Sequence, residues 1–119
     1  MSKKNILTDQ AINFAVKVLD LKKALLEETA FALMAELESC AYEIGENVAV
    51  TAIDELSEEA LQAALSATLR AEYWIKLLIA TAQIPEDEKT RELSFDCLDI
   101  KKKLTSSLAE KRSANGDND

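Results

Sequence analysis

The chain has 119 residues, a formal net charge of −8, two glycines, one proline and no histidine. β-Sandwiches, barrels and dinucleotide-binding units need more turn residues, whereas abundant Ala, Leu, Glu and Lys favour helices. The absence of histidine excludes the commonest general base, the Ser-His and Cys-His nucleophile pairs, and all histidine-containing metal sites.

The first helical pattern covers about residues 9–26, with Thr8 as its predicted N-cap. Its apolar face is wider than one neighbouring helix would cover. One line of apolar residues, at spacings of three and four, is Ala11, Phe14, Val18, Leu21 and Leu25. A second line beside it is Ile12, Val16, Leu19 and Leu26.

The second pattern, about 30–52, follows a short joint in which Thr29 is the candidate cap. Its apolar line is Ala30, Met34, Leu37, Ala41, Ile44 and Val48. Gly45 lies inside this helix, where glycine costs about 1 kcal/mol relative to alanine. We therefore expect Gly45 to mark the close approach of another backbone.

The third pattern, about 58–83, begins after Ser57, a predicted N-cap followed by acids. The fourth, about 86–112, has Pro85 at its start and basic residues toward its C-terminus. Its core line is Leu93, Cys97, Ile100, Leu104 and Leu108. Residues 114–119 form a polar tail that is predicted to be disordered.

These patterns predict an all-α protein in which residues 1–113 form one antiparallel, up-down-up-down four-helix bundle. The broad apolar faces of the first and third helices predict a homo-oligomer that buries the excess. The candidate interface residues are Phe14, Val18, Trp74 and Leu77. No apolar run is long enough to span a membrane, and a cytoplasmic location with reduced thiols is expected.

No catalytic, cofactor-binding or metal-ligating residue is predicted. Cys40 and Cys97 fall among core positions, where a free thiol acts as a small hydrophobe, although a disulfide between them is an alternative. Two further candidates are a carboxylate metal site and a base-stacking cluster. The first would use Glu36, Glu43 and Glu46, and the second Arg70, Tyr73, Trp74 and Lys76. A solvated acidic face and a core or interface tryptophan are the favoured interpretations.

Nucleic-acid binding would need a basic stripe. The best candidate is the C-terminal part of the fourth helix, with Lys101, Lys102, Lys103, Lys111 and Arg112. Three consecutive lysines spread around a helix instead of forming one face, and residues 24–69 contain no Lys or Arg. Nucleic acid is therefore a disfavoured partner.

Three segments resemble the 23S rRNA intervening-sequence protein family, also called S23, which consists of small four-helix bundles. The first is residues 12–18, INFAVKV, similar to the opening helix of the family. The second is residues 39–49, SCAYEIGENVA, similar to the pattern Ser-x-x-Ser-Ile-x-x-Asn-Ile-Ala-Glu. The third runs from Ala64 to Leu78 and includes EYWIKLL, similar to the Glu-x-x-Tyr-Trp-Leu helix.

The resemblance implies an antiparallel bundle that assembles into a homopentamer. It also implies a link to nucleic acid, because some relatives are encoded within ribosomal RNA insertions and a related branch consists of retroelement accessory proteins. This sequence differs in having Glu38 where arginine is usual and in its overall acidity. The leading hypothesis is a non-enzymatic, homo-oligomeric scaffold that recognises a protein partner. The alternative is a nucleic-acid-associated accessory protein that uses the basic end of the fourth helix.

Overall fold

Each of the four helical patterns forms a helix in the computed structural model, which describes residues 3–53 and 57–116. The helices are α1 (Lys3–Ala24), α2 (Glu28–Ile53), α3 (Glu58–Ala80) and α4 (Glu88–Gly116). No strand occurs within these two ranges. The molecule is a rod that measures 54 × 24 × 22 Å.

The helices are arranged as a square in which each contacts two neighbours. In the described part of the chain, α1 contacts α2 and α4, and α3 contacts the same two helices, whereas neither diagonal pair is in contact. Glu72 pairs with Lys101 and Glu58 pairs with Arg112, so α3 and α4 run antiparallel. The pair α1–α2 and the pair α3–α4 therefore form two opposite faces of the bundle.

The apolar lines predicted for α2 and α4 form the core. All six residues of the α2 line and all five of the α4 line are buried. In α1, Phe14 and Val18 are completely buried, while Leu21, and Leu25 just after the helix, lie at the edge of the core. The second line of α1 faces outward, with Ile12 56% and Val16 48% exposed.

Several helix ends differ from the prediction. α1 begins at Lys3 and α2 at Glu28, so Thr8 and Thr29 lie inside helices and are not caps. α3 ends at Ala80, and the left-handed φ of 57° at Ala82 turns the chain so that the Gln83 N–H donates to Leu78 O at 2.9 Å. This turn satisfies a carbonyl that the helix end leaves free.

The starts of α3 and α4 are capped by side chains. The predicted N-cap Ser57 is confirmed, since its Oγ accepts a hydrogen bond from Ala60 N at 3.1 Å. Pro85 lies before α4 and not in its first turn. Asp87 instead caps α4 reciprocally with Thr90: the Asp87 N–H donates to Thr90 Oγ1 at 2.9 Å, and the Thr90 N–H donates to Asp87 Oδ1 at 3.1 Å.

The structure also differs from the prediction at the C-terminal end of α4 and at Gly45. α4 continues to Gly116, so residues 114–116 are helical, and residues 117–119 lie outside the described residues. A Cβ atom placed on Gly45 would meet no heavy atom within 4 Å, so Gly45 does not mark close backbone packing within this chain. Within the described ranges, no helix is both long and apolar enough to cross a membrane.

Candidate interaction surfaces

Two of the four predicted interface residues are core residues. Phe14 and Val18 each have 0% of their surface exposed, because α1 turns them toward the centre of the square. A side chain that is covered by its own chain has no surface left for a second subunit. The prediction that Phe14 and Val18 form an oligomer interface is therefore wrong.

Trp74 and Leu77 lie partly exposed on α3 and stay candidates. The Trp74 side chain packs against the core, and its ring meets the Tyr73 ring edge-on, with centroids 5.8 Å apart. Tyr73 itself is 59% exposed. Arg70, another member of the candidate base-stacking cluster, is held at 2.6 Å by Glu43, and this hydrogen bond raises the pKa of the guanidinium. Trp74 thus links the exposed Tyr73 ring to the core.

The basic end of α4 is largely neutralised by neighbouring acids. Lys101 pairs with Glu72 at 3.2 Å, and Arg112 pairs with Glu58 at 2.9 Å on the same neighbouring helix. Lys103 pairs with Asp99 one turn earlier in α4, at 2.6 Å. Of the five predicted nucleic-acid contacts, only Lys102 and Lys111 have no ion-pair partner among the described residues.

The two cysteine side chains are buried and are not bonded to each other. Cys40 and Cys97 are both free, so the disulfide alternative is wrong. Burial raises the pKa of the Cys97 thiol to about 12 and also raises the pKa of Cys40. A thiol in this state is protonated at neutral pH and is a poor nucleophile or metal ligand.

The acidic strip of α2 does not gather around a common point. Glu43 is engaged by Arg70, and no group of three His, Cys, Asp or Glu residues is placed to hold a metal ion in the described part of the chain. Glu36 and Glu46 have no ion-pair partner among those residues. The strip therefore has the geometry of a solvated acidic face.

The seam between α1 and α4 is polar, and these two helices make the smallest contact among the neighbouring pairs. Lys17 spans it, 2.6 Å from Glu92 and 2.5 Å from Asp96, and these hydrogen bonds raise the lysine pKa. Gln10 donates to Asp99 across the same seam. Cavities of about 230 and 250 Å³ lie toward its two ends.

An open apolar groove lies on the outer face of the α1–α2 pair, and we call it the α1–α2 groove. Its volume is about 270 Å³, and its walls carry Ile12, Val16 and Tyr42. The remaining lining residues are Ala11, Ala15, Leu19, Ala41, Gly45 and Glu46. The periodicity had indicated the second apolar line of α1, but nothing in the sequence paired it with Tyr42 and Gly45 of α2.

The opposite face carries a second apolar set at its surface, here called the α3–α4 ridge. It consists of Leu69, Tyr73, Phe95 and Leu98. Phe95 is 69% exposed and is the most exposed aromatic side chain in the described part of the chain. Cys97 Sγ lies 3.6 Å from Thr68 O, so Leu69 and Leu98, the next residue in each helix, flank the α3–α4 seam. The apolar spacing of α4 predicted its core line but did not indicate that Phe95 would be exposed.

Comparison with solved structures finds a likeness that covers most of the chain. A crystal structure of a protein of unknown function from the S23 ribosomal protein family of Bacteroides thetaiotaomicron superposes with a TM-score of 0.80. Sequence identity is 28%, and the match covers 91% of this chain and 99% of the other. The resemblance to the S23 family is confirmed. No protein-family model matches the chain, and no curated protein is significantly similar to it. The S23 resemblance thus extends from three short motifs to almost the whole fold.

Proposed function

We propose that this S23-like chain is a non-enzymatic scaffold that assembles from identical copies and presents a repeated surface to a protein partner. The observation that carries the proposal is the exposure of large apolar side chains on two opposite faces, the α1–α2 groove and the α3–α4 ridge. Apolar patches of this kind on soluble proteins mark interaction sites. Two different patches on one chain are what a head-to-tail contact requires, and such a contact closes into a ring when the rotation between successive copies allows it.

The number of copies rests on the family resemblance, which implies five. Trp74 and Leu77 lie on the α2 side of Tyr73 in α3, and the proposal places them at the border of the assembly surface. The proposed setting is the cytoplasm, where the two buried thiols would stay reduced.

The proposal contains no catalytic step, and the local chemistry supports that. The chain has no histidine, its two thiols are buried, and the raised pKa of Cys97 opposes thiolate formation. The surface left for a partner is the acidic outer side of α2, which carries Glu36. A partner with a basic surface fits that charge.

The alternative partner, nucleic acid, finds less support. Most of the cations on which it depends are already paired with carboxylates of the same chain, which leaves Lys102 and Lys111. Neutralising phosphates with Lys101, Lys103 or Arg112 would require breaking these pairs. A net charge of −8 opposes the approach of a phosphate backbone at long range.

The experiment that tests the proposal is size-exclusion chromatography with light scattering, recorded at 260 and 280 nm on protein purified without nuclease. We expect an assembly of about five chains of 13.1 kDa without excess 260 nm absorbance. A monomer would refute the assembly. An assembly with excess 260 nm absorbance that disappears after Lys102→Ala and Lys111→Ala would establish nucleic-acid binding instead.

A further inference from the structure

The α1–α2 groove has the shape of a receptor for a side chain from outside the molecule. Four of its lining residues, Ala11, Ala15, Ala41 and Gly45, are small, whereas Ile12, Val16 and Tyr42 stand around them exposed. The position above Gly45 is empty to at least 4 Å from an added Cβ. A helical glycine without an internal packing role leaves room for a partner.

The α3–α4 ridge has the side chains to fill that space. Arg91, Phe95, Leu98 and Lys102 are spaced by four, three and four residues, which places them along one line of α4. Phe95 stands near the middle of that line and is 69% exposed. An aromatic side chain that leaves water on docking removes about 150–250 Å² from solvent, which makes Phe95 the best anchor of the ridge.

The charges around the two surfaces are opposite. Arg91 and Lys102 bracket Phe95, Lys76 lies on the neighbouring part of α3, and all three are exposed without an ion-pair partner among the described residues. On the groove side, α2 has five glutamates and no Lys or Arg, but Glu38 already pairs with Lys22 of α1 and Glu43 with Arg70 of α3. Glu46 lines the groove and has no ion-pair partner in the described ranges. Complementary charge of this kind selects orientation and partner.

We propose that the α1–α2 groove of one copy receives the Phe95 line of the next copy, with the Phe95 ring seated over Gly45. The inference rests on the proposed self-assembly and specifies its contact. Since groove and ridge lie on opposite faces, every copy uses two different surfaces, and the contact is head-to-tail. A second copy of this chain is thus the occupant, in preference to an unrelated helix, because the cations and the aromatic anchor belong to the chain itself.

Two single variants separate the surfaces. Gly45→Lys fills the groove and adds a charge that repels the cations of the ridge, and Phe95→Glu removes the anchor and adds a repulsion from the groove. Both positions are open to solvent within one chain, so the bundle should stay folded. The control is Leu26→Glu, which changes a residue that is 98% exposed and belongs to neither surface. Gly45→Ala, which adds only a Cβ, is a milder change to the same place in the groove.

We expect each of the two variants alone to elute as a monomer with unchanged helical circular dichroism. Leu26→Glu should assemble like the original protein, while Gly45→Ala, whose Cβ takes part of the space of the ring, should assemble more weakly. The decisive step is to mix the two variants. The Gly45→Lys chain keeps an intact ridge and the Phe95→Glu chain keeps an intact groove, so the mixture should form a 1:1 dimer of twice 13.1 kDa. Growth must stop there, because each remaining surface is disabled.

The outcomes distinguish this inference from the proposed function. If the original protein assembles but both variants still assemble, or if their mixture stays monomeric, the groove-on-ridge contact is refuted and self-assembly stands. If the original protein is itself monomeric, both proposals fail. A Gly45→Lys chain that keeps its assembly and loses only a co-purifying protein would assign the groove to that protein instead.

Discussion

Phe14→Ala is the sharpest test of the distinction between core and interface, because the apolar pattern placed Phe14 at the interface and the structure buries it completely. An aromatic side chain buries about 150–250 Å², which at about 25 cal/mol per Å² is worth about 4–6 kcal/mol. Alanine keeps part of this area, while the cavity it leaves adds a further cost. We therefore expect the free energy of unfolding to fall by about 3–5 kcal/mol.

The measurement is urea denaturation followed by circular dichroism, at two protein concentrations and on the Phe95→Glu background, where assembly is disabled. Domains of this size are stable by about 5–15 kcal/mol, so the loss would move the urea midpoint strongly. Leu26→Ala is the control, and because Leu26 is 98% exposed, its effect should stay within about 0.5 kcal/mol. The reasoning would be refuted by a Phe14→Ala chain that keeps its unfolding midpoint yet lowers the mass of the assembly in the unaltered background.

Three further predictions concern local features. Asp87→Ala removes the cap of α4 and should lower the free energy of unfolding by about 1 kcal/mol, while Glu86→Ala, next to it, should change little; a urea titration compares them. Hydrogen bonds from Lys103 and Gln10 lower the pKa of Asp99. The ionised Asp99 therefore stabilises the fold at neutral pH, and this stabilisation is lost as the pH falls below the ordinary carboxyl pKa of 3.8. In thermal melts, acid should lower the melting temperature of Asp99→Asn less than that of the unaltered chain. The buried Cys40 and Cys97 should react with a thiol reagent at pH 8 only after urea unfolds the chain, and fast labelling of the native protein would contradict their burial.

The core-facing side of the helices was predictable because apolar residues that pack inside a bundle recur at helical spacing. Leu37 and Ile44 of α2 recur at helical spacing, and the structure buries both. The same period marked Ile12 and Val16 as apolar but did not indicate which of the two lines of α1 would face the core. That choice depends on the positions of α2 and α4, which the sequence of α1 alone does not contain.

The helix ends and the surfaces were harder to predict for a related reason. Thr8 has the chemistry of a cap, yet residues 3–7 continue the helix and make it an interior residue. Gly45 was expected to allow backbone contact inside the chain, but the space beside it opens outward. Likewise, the lysines at 101 and 103 looked available, because their partners Glu72 and Asp99 depend on tertiary packing and on helix register.

Charge links the proposed contact to the proposed partner. Five copies that each carry −8 would repel one another if the charge were spread evenly, and assembly would be opposed. The cations Lys76, Arg91 and Lys102, which have no ion-pair partner among the described residues, instead lie around the ridge, so the proposed contact brings them close to Glu46 of the next copy. Each contact thus covers positive charge that is exposed on the single chain. What stays exposed is the acidic excess of α2, including Glu36, repeated once per copy, and this repetition favours a basic partner that binds several copies at once.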